Sequence, residues 1–519
     1  MKLQIFDIIV IGLYFACMLG IGYFVSKRNK DTEDYFLGGR NIPGWAIGVS
    51  FVGTMISSVT FLALPADAFK TAWIRFLPNF AFPVVTLIAA YVFLPFFRRG
   101  TISSAYQYLG LRFGSSIATY GACVYIGAQV VRSSSIVYLM ALLMSTMTGL
   151  SIDASIVVSG AITAFYTVKG GFEAVVWTDV IQTIILVMGA LIIIGMVILS
   201  LPGGMTQIIT EGWAAGKFAF NDLDIKTGEL ASMEHGFSLS EKTTVMLLLV
   251  GFTQFLTGKL NQETVQRWCS TSSIREARKS MWILGGSSLP IWGAFMFMGT
   301  SLWVYYQHFP DTVSAGVLDG TLKSESILPH FIVTEMPVGL AGLVIAGALA
   351  AAMSTLSSSI NSTSMVIVND IYQPLIKKGV KKEGDLRVGL GAALTVSLLM
   401  IGGAFVFLYS ETKTLTDFTI IITAVFGGGI AGIFLFGMFT RRGDARAVVV
   451  GIVLTLSFTL YALLMQFNVV TRIFDPYYTA ILGNIIMILV SYVASMVFPA
   501  NTRDLTNLTV WDQTQDGIS

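Results

Sequence analysis

Gly53-Thr54-Met55-Ile56-Ser57-Ser58-Val59-Thr60, followed by Pro65, interrupts an otherwise apolar run at 44–69. Glycine and small hydroxyl residues weaken a helix, and proline removes an N–H from its ladder. A run of this length spans a membrane, and irregular backbone at that depth survives only where it is buried in protein or lines a cavity. A second run, 244–262, is interrupted in its turn by Gly251, Gln254, Thr257 and Gly258, and it is the sixth span counted from the first. Two interruptions at corresponding positions of two halves point to the binding site of a transporter built from an inverted repeat. The plainer alternative for either span alone is a kink at Gly and Ser.

The rest of the chain has the character of these two runs. Of its 519 residues 54% are hydrophobic and only 12% charged, about half the charge of a soluble protein. The mean hydropathy is +0.74. Thirteen apolar runs are expected to span, at 5–25, 44–69, 74–97, 116–147, 152–168, 174–200, 244–262, 281–307, 338–366, 388–409, 418–440, 446–466 and 476–498. The fold class is therefore an all-α, polytopic membrane protein. The first run is no cleavable signal, because its positive cluster (Lys27, Arg28, Lys30) follows it. With the N-terminus outside and the C-terminus in the cytoplasm, 22 of the 32 Lys and Arg fall in cytoplasmic loops and tail. Lys377, Lys378, Lys381, Lys382 and Arg387 form one such group, and Arg441, Arg442 and Arg446 another. Arg132 lies deep within a span. The net charge of +2 says little about partners, no nucleic-acid partner is expected, and Cys17, Cys123 and Cys269 have neither disulfide nor metal spacing. The outside loop at 201–243 has room for a short helix, and that at 308–337 is expected to form a lid.

A hydroxyl ladder stands in the ninth run: Ala350-Ala351-Ala352-Met353-Ser354-Thr355-Leu356-Ser357-Ser358-Ser359. Ser354, Ser357 and Ser358 fall at i, i+3 and i+4 and share a helix face. Hydroxyls in lipid need partners. Here they either glue helices together through small residues or offer oxygen to a bare cation. Asp179 is a second candidate, since an acid inside an apolar span is functional by default; its plainer reading is a cytoplasmic-edge anchor near Lys169.

Several segments together resemble the sodium/solute symporter family, which includes sodium–galactose, sodium–proline and sodium–sialic acid transporters. They are Asp34-Tyr35-Phe36-Leu37-Gly38-Gly39-Arg40, Gly170-Gly171-Phe172-Glu173-Ala174-Val175-Val176-Trp177-Thr178-Asp179-Val180-Ile181-Gln182, Asn261-Gln262-Glu263-Thr264-Val265-Gln266-Arg267, and the ladder with Asn361-Ser362. The resemblance runs to about residue 440. It implies the inverted-repeat fold of the leucine transporter with an extra N-terminal helix. The parts are then 1–43 (extra span and loop), 44–243 (first repeat), 244–440 (second repeat) and 441–519 (two further spans and tail). It implies a main sodium site at the carbonyls of Gly53, Ile56 and Ala351 and the hydroxyls of Ser354 and Thr355. A second sodium site, present in part of the family, falls at Asp179, Ser357 and Ser358, with Ser354 beside them.

Arg132 bears most on the substrate. A guanidinium deep in a span is costly without a partner, and its planar fork matches a carboxylate. The family's bacterial sialic acid members have an Arg here that holds the substrate carboxylate, and Ser57 and Thr60 match their polar contacts. The alternative is a purely structural pairing. This chain departs from those members at Met55, Arg75 and Asn79, and Thr257 stands where the galactose transporter has its inner-gate Tyr. Arg75 either meets a second acidic group or pairs with Asp67 at the outer edge. The reading is a sodium-coupled symporter importing a small anionic solute such as sialic acid or another sugar acid, in a cell inner membrane, in contact with lipids and active as a monomer. A neutral sugar or polyol is the alternative within transport, and a channel or nontransporting sensor outside it. No nucleophile–base pair, zinc spacing or phosphate loop supports an enzyme.

Overall fold

The computed structural model describes residues 4–98, 102–223, 230–376, 385–409, 429–467, 469–498 and 504–512. In chain order the main helices are α1 (Ile5–Ser26), α2 (Thr32–Leu37), α3 (Gly44–Met55), α4 (Ser58–Lys70), α5 (Ala81–Ile88), α6 (Leu94–Arg98), α7 (Ala105–Phe113), α8 (Ser115–Thr148) and α9 (Ile152–Ser200). They continue as α10 (Gly204–Ala214), α11 (Thr244–Lys259), α12 (Gln262–Cys269), α13 (Ile274–His308), α14 (Thr312–Leu318), α15 (Ile327–Thr334) and α16 (Leu340–Val366). Last come α17 (Asp385–Tyr409), α18 (Ile430–Phe439), α19 (Ala445–Gln466) and α20 (Thr479–Val497).

Among the described residues nine helices are long and apolar enough to cross a membrane, ten when α3 and α4 count as one bent pair. α9 has 49 residues. At 1.5 Å per residue that is far more than one crossing needs. It is two expected spans joined at Gly171, whose φ of 66° no L side chain adopts readily. The shorter apolar helices α11 and α18 occupy two more of the expected positions, so the helices are consistent with thirteen crossings. Most of the eleventh expected run, and the Lys377–Lys382 group, lie outside the described residues.

The first interruption stands where the sequence places it. α3 ends at Met55, Ile56 is extended (φ −95°, ψ 97°), and Ser57 caps α4 by accepting the Thr60 N–H at 3.4 Å. The two halves meet at 55°. The second stands elsewhere. α11 runs unbroken through Gly251 and Gly258, and the chain breaks at Leu260–Asn261 before α12. Gly251 serves packing instead: a Cβ there would lie 2.9 Å from the Cα and carbonyl carbon of Pro78. Asn261 caps α12 through the Thr264 N–H at 3.0 Å, which fixes the break.

α16 lies at the centre, buried almost throughout, against α9, α8, α1 and α3. Its N-terminus is held by Asp7 of α1, whose Oδ1 accepts the N–H groups of Gly339 and Gly342 at 2.7 and 2.9 Å. The loop at 201–243 carries α10 and an antiparallel strand pair, β1 (Asn221–Leu223) with β2 (Leu230–Ser232). From this loop Lys217 donates to the carbonyls of Phe69 and Thr71 at 2.7 and 2.8 Å, satisfying the free C-terminal end of α4. The segment at 308–337 folds into α14 and α15, and α15 contacts α4, α8 and α16.

Candidate functional site

The break between α3 and α4 brings backbone carbonyls against the hydroxyl ladder of α16. Ser354 Oγ donates to the Gly53 carbonyl at 2.9 Å and to the Ala351 carbonyl at 3.3 Å. Thr355 Oγ1 donates to the carbonyls of Thr54 and Ala351, each at 3.3 Å. Close approach explains the small residues. Gly53 sits hard against the Thr183 hydroxyl and 3.3 Å, counted from a notional Cβ, from the Asp179 carbonyl. Gly53, Ala351, Ser354 and Thr355 thus lie in one buried cluster, with Ile56 buried at the break itself. Carbonyls and rotatable hydroxyls without a fixed negative charge make an oxygen cage suited to a monovalent cation, and one that releases it again.

One turn further along α16 lies a charged cluster. Asp179 Oδ2 accepts from Ser50 Oγ at 2.6 Å and lies 3.4 Å from Thr54 Oγ1. Arg267 of α12 reaches the same oxygens: Nη2 is 2.5 Å from Thr54 Oγ1, 2.6 Å from Ser358 Oγ and 3.2 Å from Asp179 Oδ2. Its Nε donates to Ser50 Oγ at 3.2 Å. Arg267 is 1% exposed and Asp179 fully buried. Asp179 and Ser358 are brought together, but Ser357 is not with them: its hydroxyl turns back to the Ser354 carbonyl at 3.1 Å.

The sequence reading missed Ser50, Thr54 and Arg267. Arg267 stands in a quoted segment, but a charge in a stretch as short and polar as α12 reads as a loop charge. Its complete burial comes from packing against α2, α7, α13 and α16. Glu263, one turn before it, is also buried and accepts from Gln129 Nε2 at 2.6 Å and Ser359 Oγ at 2.9 Å.

Arg132 lies near the middle of α8. Tyr125, Gln129 and Arg132 fall at i, i+4 and i+7, hence on one face. The first two contact Ser362 of α16 and Glu263 of α12, so Arg132 faces the same core. Its side chain is exposed, and among the described residues it makes no ion pair. Ser57 and Thr60 are half-buried with hydroxyls 3.4 Å apart, at the positive N-terminal end of α4. Met55 is half-buried at the end of α3, and Asn79 half-buried in the 3-10 turn Trp73–Phe80. Arg75 is exposed and paired with Asp67 at 3.3 Å, which is the outer-edge alternative. Thr257 donates to the Thr253 carbonyl of its own helix.

A helix broken at membrane depth and packed against a buried hydroxyl ladder, inside a multi-pass helical membrane protein, is the arrangement of a secondary transporter. The chain belongs to the sodium:solute symporter family, whose model matches residues 35–455. It is similar to the sodium/sialic acid symporter SiaT of Proteus mirabilis (34% identity over 449 residues, 85% of this chain and 86% of the relative). It is also similar to the sodium/sialic acid symporter NanT of Aliivibrio fischeri (28% identity, 95% of this chain and 93% of the relative). A solved structure of a Na+-coupled sialic acid symporter, substrate-bound and outward-open, matches with a TM-score of 0.86 at 30% identity, covering 96% of this chain and 100% of that one. The fold is the leucine-transporter-like inverted repeat, and the chain is a sodium-coupled symporter of a small molecule.

Proposed function

We propose that the chain imports a carboxylated sugar such as sialic acid, driven by sodium, across a cell inner membrane, as a monomer with its N-terminus outside and its C-terminus in the cytoplasm. The observation that carries the substrate reading is Arg132. Its exposed guanidinium, on the core-facing side of α8 and without an ion pair among the described residues, is ready for a planar carboxylate. Support comes from the sialic acid specificity of the two relatives and of the solved structure. Ser57, Thr60, Met55 and Asn79 line the substrate; Arg75, spent on Asp67, shapes the outer entrance.

The first sodium binds at Gly53, Ile56, Ala351, Ser354 and Thr355, tying α3 to α16. The second binds at Asp179, Ser358 and Ser354, with Ser357 behind them. The parts are 1–43, 44–243, 244–440 and 441–519, the middle two being the repeats. Sodium at the first site favours the form open to the outside through its unequal affinity for the two states. Substrate binding, outer closure and inward release follow. Two sodium ions with one monoanion move one net charge, worth about 2.3 kcal/mol per 100 mV, whereas one sodium would leave the cycle electroneutral. A second site therefore has a physical use here. Asp179→Asn should remove the transport current; an unchanged current and stoichiometry would exclude that site.

The test is uptake of labelled N-acetylneuraminate into proteoliposomes, with and without an inward sodium gradient, for wild type and Arg132→Ala. Sodium-driven accumulation that the variant loses is expected. Wild type that ignores N-acetylneuraminate but is stabilised by sodium would discard the substrate and keep the symporter.

A further inference from the structure

We propose that Arg267 is a tethered cation that exchanges places with the second sodium ion, holding Asp179 and Ser358 when sodium is absent and moving to Glu263 when it enters. This rests on the second-site reading above.

The argument begins with shared oxygens. Thr54, Ser358 and Asp179 all lie within 3.2 Å of Arg267 Nη2. A guanidinium and a sodium ion need the same lone pairs, so the cluster holds one or the other. Burial makes the exchange obligatory: with Asp179 fully buried, a departing cation leaves a bare carboxylate that no water reaches.

Glu263 supplies the second station. It lies at i−4 from Arg267 on α12, within reach of the same side chain. Its Oε1 is met by two neutral donors, Gln129 and Ser359, and among the described residues it makes no ion pair. Arg267 Nη1 already donates to the Glu263 carbonyl at 3.3 Å. Ser358 and Ser359, adjacent on α16, mark the two stations: the first accepts from Arg267 and the second donates to Glu263. One guanidinium thus serves two buried carboxylates. The neighbouring ammonium of Lys259 lies over the rings of Phe82 and Phe51 at 4.6 and 5.6 Å and pairs with neither. Sodium at Asp179 gives each carboxylate its own cation.

The exchange also carries a signal. Arg267 bonded to Ser50, Thr54 and Asp179 ties α12 to α3 and α9. Arg267 bonded to Glu263 ties α12 only to itself. Sodium entry therefore removes Arg267's ties from α12 to α3 and α9, while Gln266 keeps α12 on Phe36 and Asn361, and the returning guanidinium drives sodium out.

The experiment is a titration of radiolabelled sodium binding to the purified full-length chain, for wild type, Arg267→Gln and Glu263→Gln. Two ions in wild type are expected. Arg267→Gln should bind the second about tenfold more tightly and release it more slowly, and Glu263→Gln about tenfold more weakly. Second-ion affinity that Arg267→Gln leaves unchanged or weakens would overturn the exchange while keeping two sites. A single ion in wild type would overturn both readings. Should Arg267→Gln fail to fold, Glu263→Gln keeps the acceptor for Gln129 and Ser359, and its unchanged second-ion affinity would by itself refute the exchange.

Discussion

Asp7 stands on the helix that precedes both repeats, yet it caps the helix that carries the hydroxyl ladder. Asp7→Ala removes the acceptor of two N–H groups at the start of α16, those of Gly339 and Gly342 at 2.7 and 2.9 Å. Asp7 is 3% exposed, so water does not replace it. The neighbouring backbone cannot rearrange either: a Cβ on Gly342 would lie 2.7 Å from the Cα and carbonyl oxygen of Asp7. Losing a cap costs about 1–2 kcal/mol. Removing a negative charge from the positive end of a helix costs about 0.3–1 kcal/mol more. The expected loss is therefore about 1–3 kcal/mol for Ala and about 0.3–1 kcal/mol for Asn, which keeps an acceptor. For a chain of this size that is a fall in Tm of roughly 1–3 °C for Ala and about a third of it for Asn. Thermal unfolding in detergent, followed by intrinsic fluorescence, measures both. Ala indistinguishable from wild type would refute the capping argument, and Asn as damaging as Ala would show that charge alone matters.

Ser354→Ala should raise the half-saturating sodium concentration for uptake about tenfold or more. Ser357→Ala should change it far less, because its hydroxyl serves its own helix; equal effects would dismiss the geometry of the cage. Gly251→Ala should destabilise by about 1–3 kcal/mol through overlap with Pro78, and an unchanged Tm would count against that contact. Outside the membrane, burial opposes ionisation of Asp311, but the Ser314 N–H, the His330 ring and the Ser314 hydroxyl outweigh it and hold the carboxyl below its ordinary value. A depressed folded value means that this cap stabilises fully above the ordinary carboxylate range, near about pH 4, and is lost as pH falls through the folded value. Asp311→Asn should flatten that acid slope of Tm; a slope equal to wild type would contradict it.

How far the sequence was legible depends on what each feature needed. Ile56 could be read because a break at membrane depth demands small, polar residues in series, and those are visible in one line. The break at Leu260 could not. It is made by a cap at Asn261, while the glycines that suggested a break nearby are spacers against Pro78. Ser354 stood out by helical periodicity, whereas Thr355 entered only through the family resemblance. Ser357, on the same arc, turned away because a serine hydroxyl in a helix has a carbonyl of its own within reach. Arg267 escaped notice because a charge in a short polar segment looks solvated until tertiary packing encloses it.

Gly171 joins two crossings with a single non-helical residue, and its surroundings are filled by Tyr35 and Asn29. Asn29 Nδ2 donates to the Gly170 carbonyl at 3.0 Å, and Tyr35 OH to the Val168 carbonyl at 3.0 Å. Helices joined by a long loop can separate at their ends. Here the ends stay together, and relative movement is left only the torsions of one joint. The two crossings therefore share one joint, and any displacement of that joint displaces both.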